Sequence, residues 1–136
     1  MIVEKIIDFS FIKSNSIKTY LLNVEKREMY NNIADELKIN LRYGTYTYTI
    51  GPTYETAAEI KEIQKIGGDA VGMSTFPEYL NCKKLKINPV IISCLTNYGA
   101  GLKEKKVLHS HVLKNAKKTN EKFNLLIKKI IKNIEI

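Results

Sequence analysis

The stretch Pro89 to Leu95, PVIISCL, is apolar at nearly every position, and no other pattern in the chain restricts its fold more. A strand that shows one face to water alternates apolar and polar residues. A short run without alternation suits a strand covered on both faces, as in parallel sheets flanked by helices. The segment therefore predicts a central strand. Thr45 to Ile50 reads TYTYTI, β-branched and aromatic residues in strict alternation, and stops at Gly51-Pro52, which predicts a second strand. Helical spacing of Met29, Ile33, Ala34 and Leu37 predicts a helix over Val24 to Leu37. Thr56 and Glu59 form a capping-box pair ahead of Ile60, Ile63 and Ile66, and Gly67-Gly68 supplies the stop. Ala70 to Met73 is a short apolar strand, and Thr75-x-x-Glu78 with Pro77 repeats the helix-start chemistry before Tyr79 to Leu85. After a glycine-containing loop from Asn97 to Lys106, a long helix carries Val112, Ala116, Phe123, Leu126, Ile127, Ile130 and Ile134 on one side and lysines on the other. The alternation predicts an α/β fold, a mixed, largely parallel sheet flanked by helices.

Composition narrows the partners. A chain of 136 residues with 44% hydrophobic and 26% charged residues is long enough for one core. No run reaches the ~18 apolar residues of a membrane span, and acidic residues interrupt the amino-terminal segment where a signal peptide needs an apolar stretch. A cytoplasmic protein without membrane partners is expected. Cys82, in a helical context, and Cys94, in a strand context, suggest buried thiols rather than a disulfide framework or a metal cluster. The formal charge of +8 raises nucleic-acid binding. Every cation except Arg27 and Arg42 is lysine, however, whereas bidentate phosphate and guanine recognition favours arginine. Abundant Ile and Asn beside Lys point to compositional bias, and the final helix's lysines to a solvated face; no nucleic-acid partner is expected.

In parallel sheets ligands bind beyond the carboxyl ends of the strands. That directs attention to Gly51 to Glu55, Met73 to Thr75 and Thr96 to Gly99. Singly, each candidate has a local explanation. Glu55 precedes an N-cap and suits the helix dipole; Asn97 follows a strand as turn residues do. Met73 and Tyr54 read as packing residues, Ser74 as a turn hydroxyl, and His109 and His111 as solvated histidines near a helix start.

Together they carry more. The segments GPTYETAAEI (51–60), GGDAVGMSTFPE (67–78) and ISCLTNYGAG (92–101) resemble three signatures of the inosine/guanosine phosphorylases, in the same order and with similar spacing. The resemblance runs on through His109 and the last helix and back to about Tyr20, so residues 20–136 correspond to the C-terminal half of a trimeric-type purine nucleoside phosphorylase domain. Residues 1–19 are a divergent segment. The resemblance implies a nucleoside-phosphorylase fold present as a partial domain, and reversible phosphorolysis of inosine or guanosine to free base and ribose 1-phosphate, in a homotrimer.

It also implies roles. Cleaving an N-glycosidic bond leaves electron density on the purine, which fixed donors and acceptors must stabilise. Glu55 would accept from a purine ring N–H, and Asn97 would donate to the N7/O6 edge with Thr96 in support. Asn rather than Asp at that position resembles the members that prefer 6-oxopurines. Tyr54 would stack on the base, Met73 would pack on the ribose, His109 would meet the 5'-hydroxyl, and Ser74 would donate to phosphate. Glu55, Asn97 and His109 are the catalytic candidates. No metal or cofactor is implied beyond inorganic phosphate as co-substrate. The family's Gly-rich strand end and phosphate-holding His and Arg have no counterpart here, and Ser110-His111 replaces the usual acidic pair after the histidine. Phe11 is a weak counterpart of the aromatic residue lent to a neighbouring subunit. The segment alone is therefore expected to be inactive, needing a complementing N-terminal half. Two other readings stay open: a methylthioadenosine phosphorylase-like enzyme, and a non-catalytic purine-binding remnant.

Overall fold

The computed structural model describes residues 1–10, 16–103 and 109–134, with only the backbone of 109–118. Its elements run β1 (Ile2–Asp8), β2 (Lys18–Leu21), α1 (Arg27–Glu36), β3 (Tyr43–Tyr48), α2 (Ala57–Lys65), β4 (Ala70–Gly72), α3 (Phe76–Lys84) and α4 (His109–Asn133). The sheet order is β2-β1-β3-β4. β1, β3 and β4 are parallel, and β2 is antiparallel to β1. A largely parallel sheet with helical cover is thus present.

The strand at its heart comes from the segment without resemblance. β1 pairs with β3 in the register Ile6↔Tyr46 and Asp8↔Tyr48. Glu4 and Lys5 interrupt the apolar sequence, and the register shifts between Val3 and Lys5. The irregularity lets a charged pair sit in a buried strand: Glu4 ion-pairs with Arg27, whose guanidinium lies 3.9 Å from the Tyr43 ring centre.

β3 alternates as its sequence predicts, but both faces are covered. Tyr46 and Tyr48 join Val3, Ile6, Ile91, Phe76 and Tyr79 in the core beneath α3. Thr47 faces the end of α2, against Gly68 and Ile63. A second core gathers Ile2, Tyr30, Ile33, Leu126 and Ile130, so α1 and α4 close over the beginning of β1.

Three expectations need correcting. Pro89 to Leu95 is not a central strand. It makes one isolated antiparallel bridge, Ile92 to Ile2, flanked by Val3 N–H to Ile91 O at 2.9 Å and Ser93 N–H to Met1 O at 2.8 Å. It lies along the amino end of β1, beyond β2, and no described strand covers its outer side; Val90 is 43% and Leu95 51% exposed. The apolar pattern suits a strand covered on both faces, a cover that the described residues do not supply. Cys94 is consequently exposed, and Cys82 only half-buried. Thr75 occupies the N-cap position of α3 but makes no side-chain cap, unlike Thr56, whose capping box with Glu59 is complete. The reason is its backbone, at φ 79° and ψ −42°.

Candidate active site

Because β1, β3 and β4 are parallel, their carboxyl ends share one end of the sheet, and the loops leaving β3 and β4 are built there. The β3 ladder continues to Thr49, whose N–H donates to Gly72 O at 3.0 Å. The chain then reverses through Gly51 at φ 75° and a cis Gly51-Pro52 bond. A side chain at Gly51 would strike the sulfur of Met73, with a Cβ only 2.5 Å from it, so the turn after β3 rests directly on Met73. After the reversal Glu55 comes back to the strand it left, where its Oε1 accepts from the Thr49 hydroxyl at 2.6 Å. Thr56 then caps α2, accepting from Glu59 N–H at 3.3 Å while Glu59 accepts from Thr56 N–H at 2.7 Å. The Thr56 N–H, together with the Thr56 hydroxyl donating to the same Glu59 Oε2 at 2.8 Å, holds the Glu59 carboxyl below its ordinary pKa.

The segment after Leu95 arrives against the same helix. Gly99 and Gly101 sit on Ile60 and Ala57, close enough that an added Cβ would lie 2.8 Å from each side chain. Asn97 therefore belongs to a loop seated on the opening turns of α2, two residues beyond Glu55. Its amide is oriented locally: the Thr96 hydroxyl donates to Oδ1 at 2.7 Å and Nδ2 donates to Tyr98 O at 3.1 Å. An amide nitrogen has two protons, and the second can donate to a ligand acceptor. Lys103 lies 3.8 Å from the Tyr98 ring centre and braces the loop's far side.

β4 ends in a tight turn. Phe76 N–H donates to Ser74 O at 2.9 Å across Thr75, whose positive φ makes this a γ-turn of the strained kind. The Tyr46 hydroxyl clamps it from below, donating to Ser74 O at 2.9 Å and accepting from Ser74 N–H at 3.4 Å. The Ser74 and Thr75 hydroxyls lie 3.3 Å apart on the exposed side.

Tyr54, Glu55, Met73 and Ser74 thus sit on loops at the carboxyl end of the sheet, where Tyr54 is 41% exposed. Thr96 and Asn97, by contrast, follow a segment that runs antiparallel to β1 toward its amino end, and it is Gly99 and Gly101 after them that reach α2. His109 opens α4, but its side chain lies outside the described residues, as does Phe11. Three contributors are not marked by the sequence. Thr49 and Tyr46 are legible there only as strand formers, and Asp8, buried at the carboxyl end of β1 with Ser10 N–H donating to it at 3.0 Å, lies in a strand whose pattern its charges obscure.

Comparison with known proteins gives the family and the fold. The phosphorylase superfamily matches residues 17–132. Purine nucleoside phosphorylase 1 of Geobacillus stearothermophilus is 35% identical over 108 residues, spanning 79% of this chain and 39% of that protein. The 6-oxopurine nucleoside phosphorylase of Pyrococcus furiosus is 42% identical over 84 residues, spanning 62% and 32%. Among solved structures, a Schistosoma purine nucleoside phosphorylase in complex with hypoxanthine superimposes with a TM-score of 0.75 at 29% identity, over 81% of this chain and 41% of that one. The chain spans about two fifths of the length of such relatives.

Proposed function

On the premise that the chain belongs to the phosphorylase superfamily, which matches residues 17–132, we propose that it supplies the base- and ribose-contacting part of a purine nucleoside phosphorylase. The reaction is reversible phosphorolysis of inosine or guanosine. One observation supports the reading: Thr49 holds the Glu55 carboxylate just ahead of α2, and the loop that bears Asn97 packs its Gly99 and Gly101 on the first turns of the same helix. That arrangement offers an acceptor and a donor to a single planar ligand. A 6-oxopurine presents an N–H and an N7/O6 edge; as the base leaves, negative charge grows on that edge and a fixed amide donor stabilises it. Tyr54 provides a stacking face, Met73 an apolar support for the ribose, and His109 a partner for the 5'-hydroxyl.

Phosphate is the weak point. Ser74 is the one candidate for it among the matching residues, and a neutral hydroxyl does not hold a dianion against water. Holding the nucleophile beneath the anomeric carbon is worth roughly 7–11 kcal/mol of barrier. The remaining groups come from polypeptide outside these residues, in a cytoplasmic assembly that we propose is trimeric.

The test is a titration of ¹⁵N-labelled protein with hypoxanthine and adenine. Saturable shifts at Glu55 and Asn97, stronger for hypoxanthine, are expected. No shift at these residues up to the solubility limit rejects the reading. Inosine phosphorolysis by the chain alone should stay at background.

A further inference from the structure

The purine site as proposed assigns Glu55 its role but leaves open what aims the carboxylate. A glutamate carries three side-chain torsions, and its carboxylate turns freely about the last of them. Here it does not. The Thr49 hydroxyl donates to Oε1 at 2.6 Å, a charge-assisted bond, and Thr49 is itself fixed by the β3–β4 ladder through Gly72. Five residues separate the two, and they form the turn that rests on Met73. The hydroxyl therefore closes the loop across its neck and fixes the carboxylate plane relative to the sheet.

We infer that Thr49 is a positioning residue for base selection: its hydroxyl engages Oε1 of Glu55 and so presents Oε2 to a purine ring N–H. The inference rests on the proposed role of Glu55. Its consequence is specific to the ligand. Hypoxanthine carries an N–H at N1, which a fixed carboxylate oxygen accepts; adenine has an acceptor there and gains nothing from the fixed orientation. Thr49 thus contributes to the difference between the two bases rather than to binding in general. A threonine that merely stabilised the loop would weaken both ligands together.

The experiment compares wild type, Thr49→Val and Thr49→Ser by the same hypoxanthine and adenine titrations. Valine keeps the shape and removes the donor. Hydrogen bonds to charged groups suggest that Thr49→Val raises the hypoxanthine dissociation constant about tenfold. Adenine binding should stay within about twofold, and Thr49→Ser should restore the wild-type ratio within about threefold, as expected when a charged acceptor regains its donor. In a Glu55→Gln background, Thr49→Val should leave the ratio unchanged. An unaltered ratio in Thr49→Val, or equal losses for both bases, overturns the inference while leaving the function standing. A wild-type protein that binds neither base defeats the functional reading itself. Should Thr49→Val fail to give a dispersed spectrum, Thr49→Ala is read by the same ratio.

Discussion

Replacing Thr47 with valine should make the protein more stable. Thr47 is fully buried in β3, and its hydroxyl is the buried side-chain polar group without a hydrogen-bond partner among the described residues. The backbone of Gly68 closes over it: a Cβ built there would collide with the hydroxyl and lie 2.6 Å from Ile63 Cγ2. Leaving a buried polar group unsatisfied costs about 1–3 kcal/mol. Valine fills the same space with a methyl and fits a covered strand at least as well. A net gain of about 1–2 kcal/mol is expected, the lower part of that range because a branched substitute still has to nest against Ile63. In equilibrium urea unfolding this corresponds to a midpoint rise of about 0.5–1 M at unchanged slope, for a slope of roughly 2 kcal/mol/M. Thr47→Ser, which keeps the hydroxyl and loses the methyl, should instead lose about 1 kcal/mol. A Thr47→Val variant no more stable than wild type would refute the reasoning, because it would mean that the hydroxyl is satisfied, for instance by a buried water.

Neighbouring features respond to other perturbations. Thr75→Gly removes the side-chain penalty of the positive φ and should stabilise by about 1 kcal/mol in the same urea assay; a loss would show that the threonine side chain offsets its backbone. Leu95→Asp places a charge on the bare outer side of the 89–95 segment, and should shift the protein toward monomer in size-exclusion chromatography with light scattering, with secondary structure unchanged; an unchanged elution position at high concentration argues against association through that side. Cys94, exposed, should react with a thiol reagent faster than half-buried Cys82 in the folded protein; equal rates would contradict the burial described. Glu59 has a depressed pKa in the folded state, so its contribution is present above its ordinary value near 4.5 and is lost as pH falls through the folded value. Glu59→Gln should flatten the acid limb of a stability–pH curve, and an unaltered limb would remove Glu59 from the cap.

The parts of this fold legible in the sequence are those where local chemistry and tertiary role coincide. The capping box at Thr56 forms because both partners lie in one helical turn, and TYTYTI is a strand because its alternation fits a pleat covered by α3 on the tyrosine side and α2 on the threonine side. The loops after β3 and β4 share one end of the sheet because those strands are parallel, whereas the third segment expected there follows no strand of the sheet. β1 is hidden because Glu4 and Lys5 break its pattern, and only the distant Arg27 and a register shift make the charges acceptable. Pro89 to Leu95 misleads in the other direction: its composition reports an environment of two covered faces, and covering elements cannot be read from the segment they cover. Thr49 illustrates the remaining gap, since nothing in an alternating strand signals that one hydroxyl meets a carboxylate six residues later.

The position of β1 also bears on how the chain reaches this structure. Its parallel partner β3 lies some forty residues further along, and its first residue is preceded by Met1, bonded to Ser93, 92 positions away. No hairpin connects β1 to β3, so a large loop must close before any of those contacts offsets its entropy, which places folding toward the slow end for a domain of this size. Until β3 arrives, an Ile/Val-rich strand has only the short β2 beside it, and transient species with that edge open are the ones that join to each other. Mutations that weaken the β1–β3 contact, such as Ile6→Ala against Tyr46, should therefore slow refolding and lower its yield at high protein concentration, while a truncation in α4 should act mainly on unfolding.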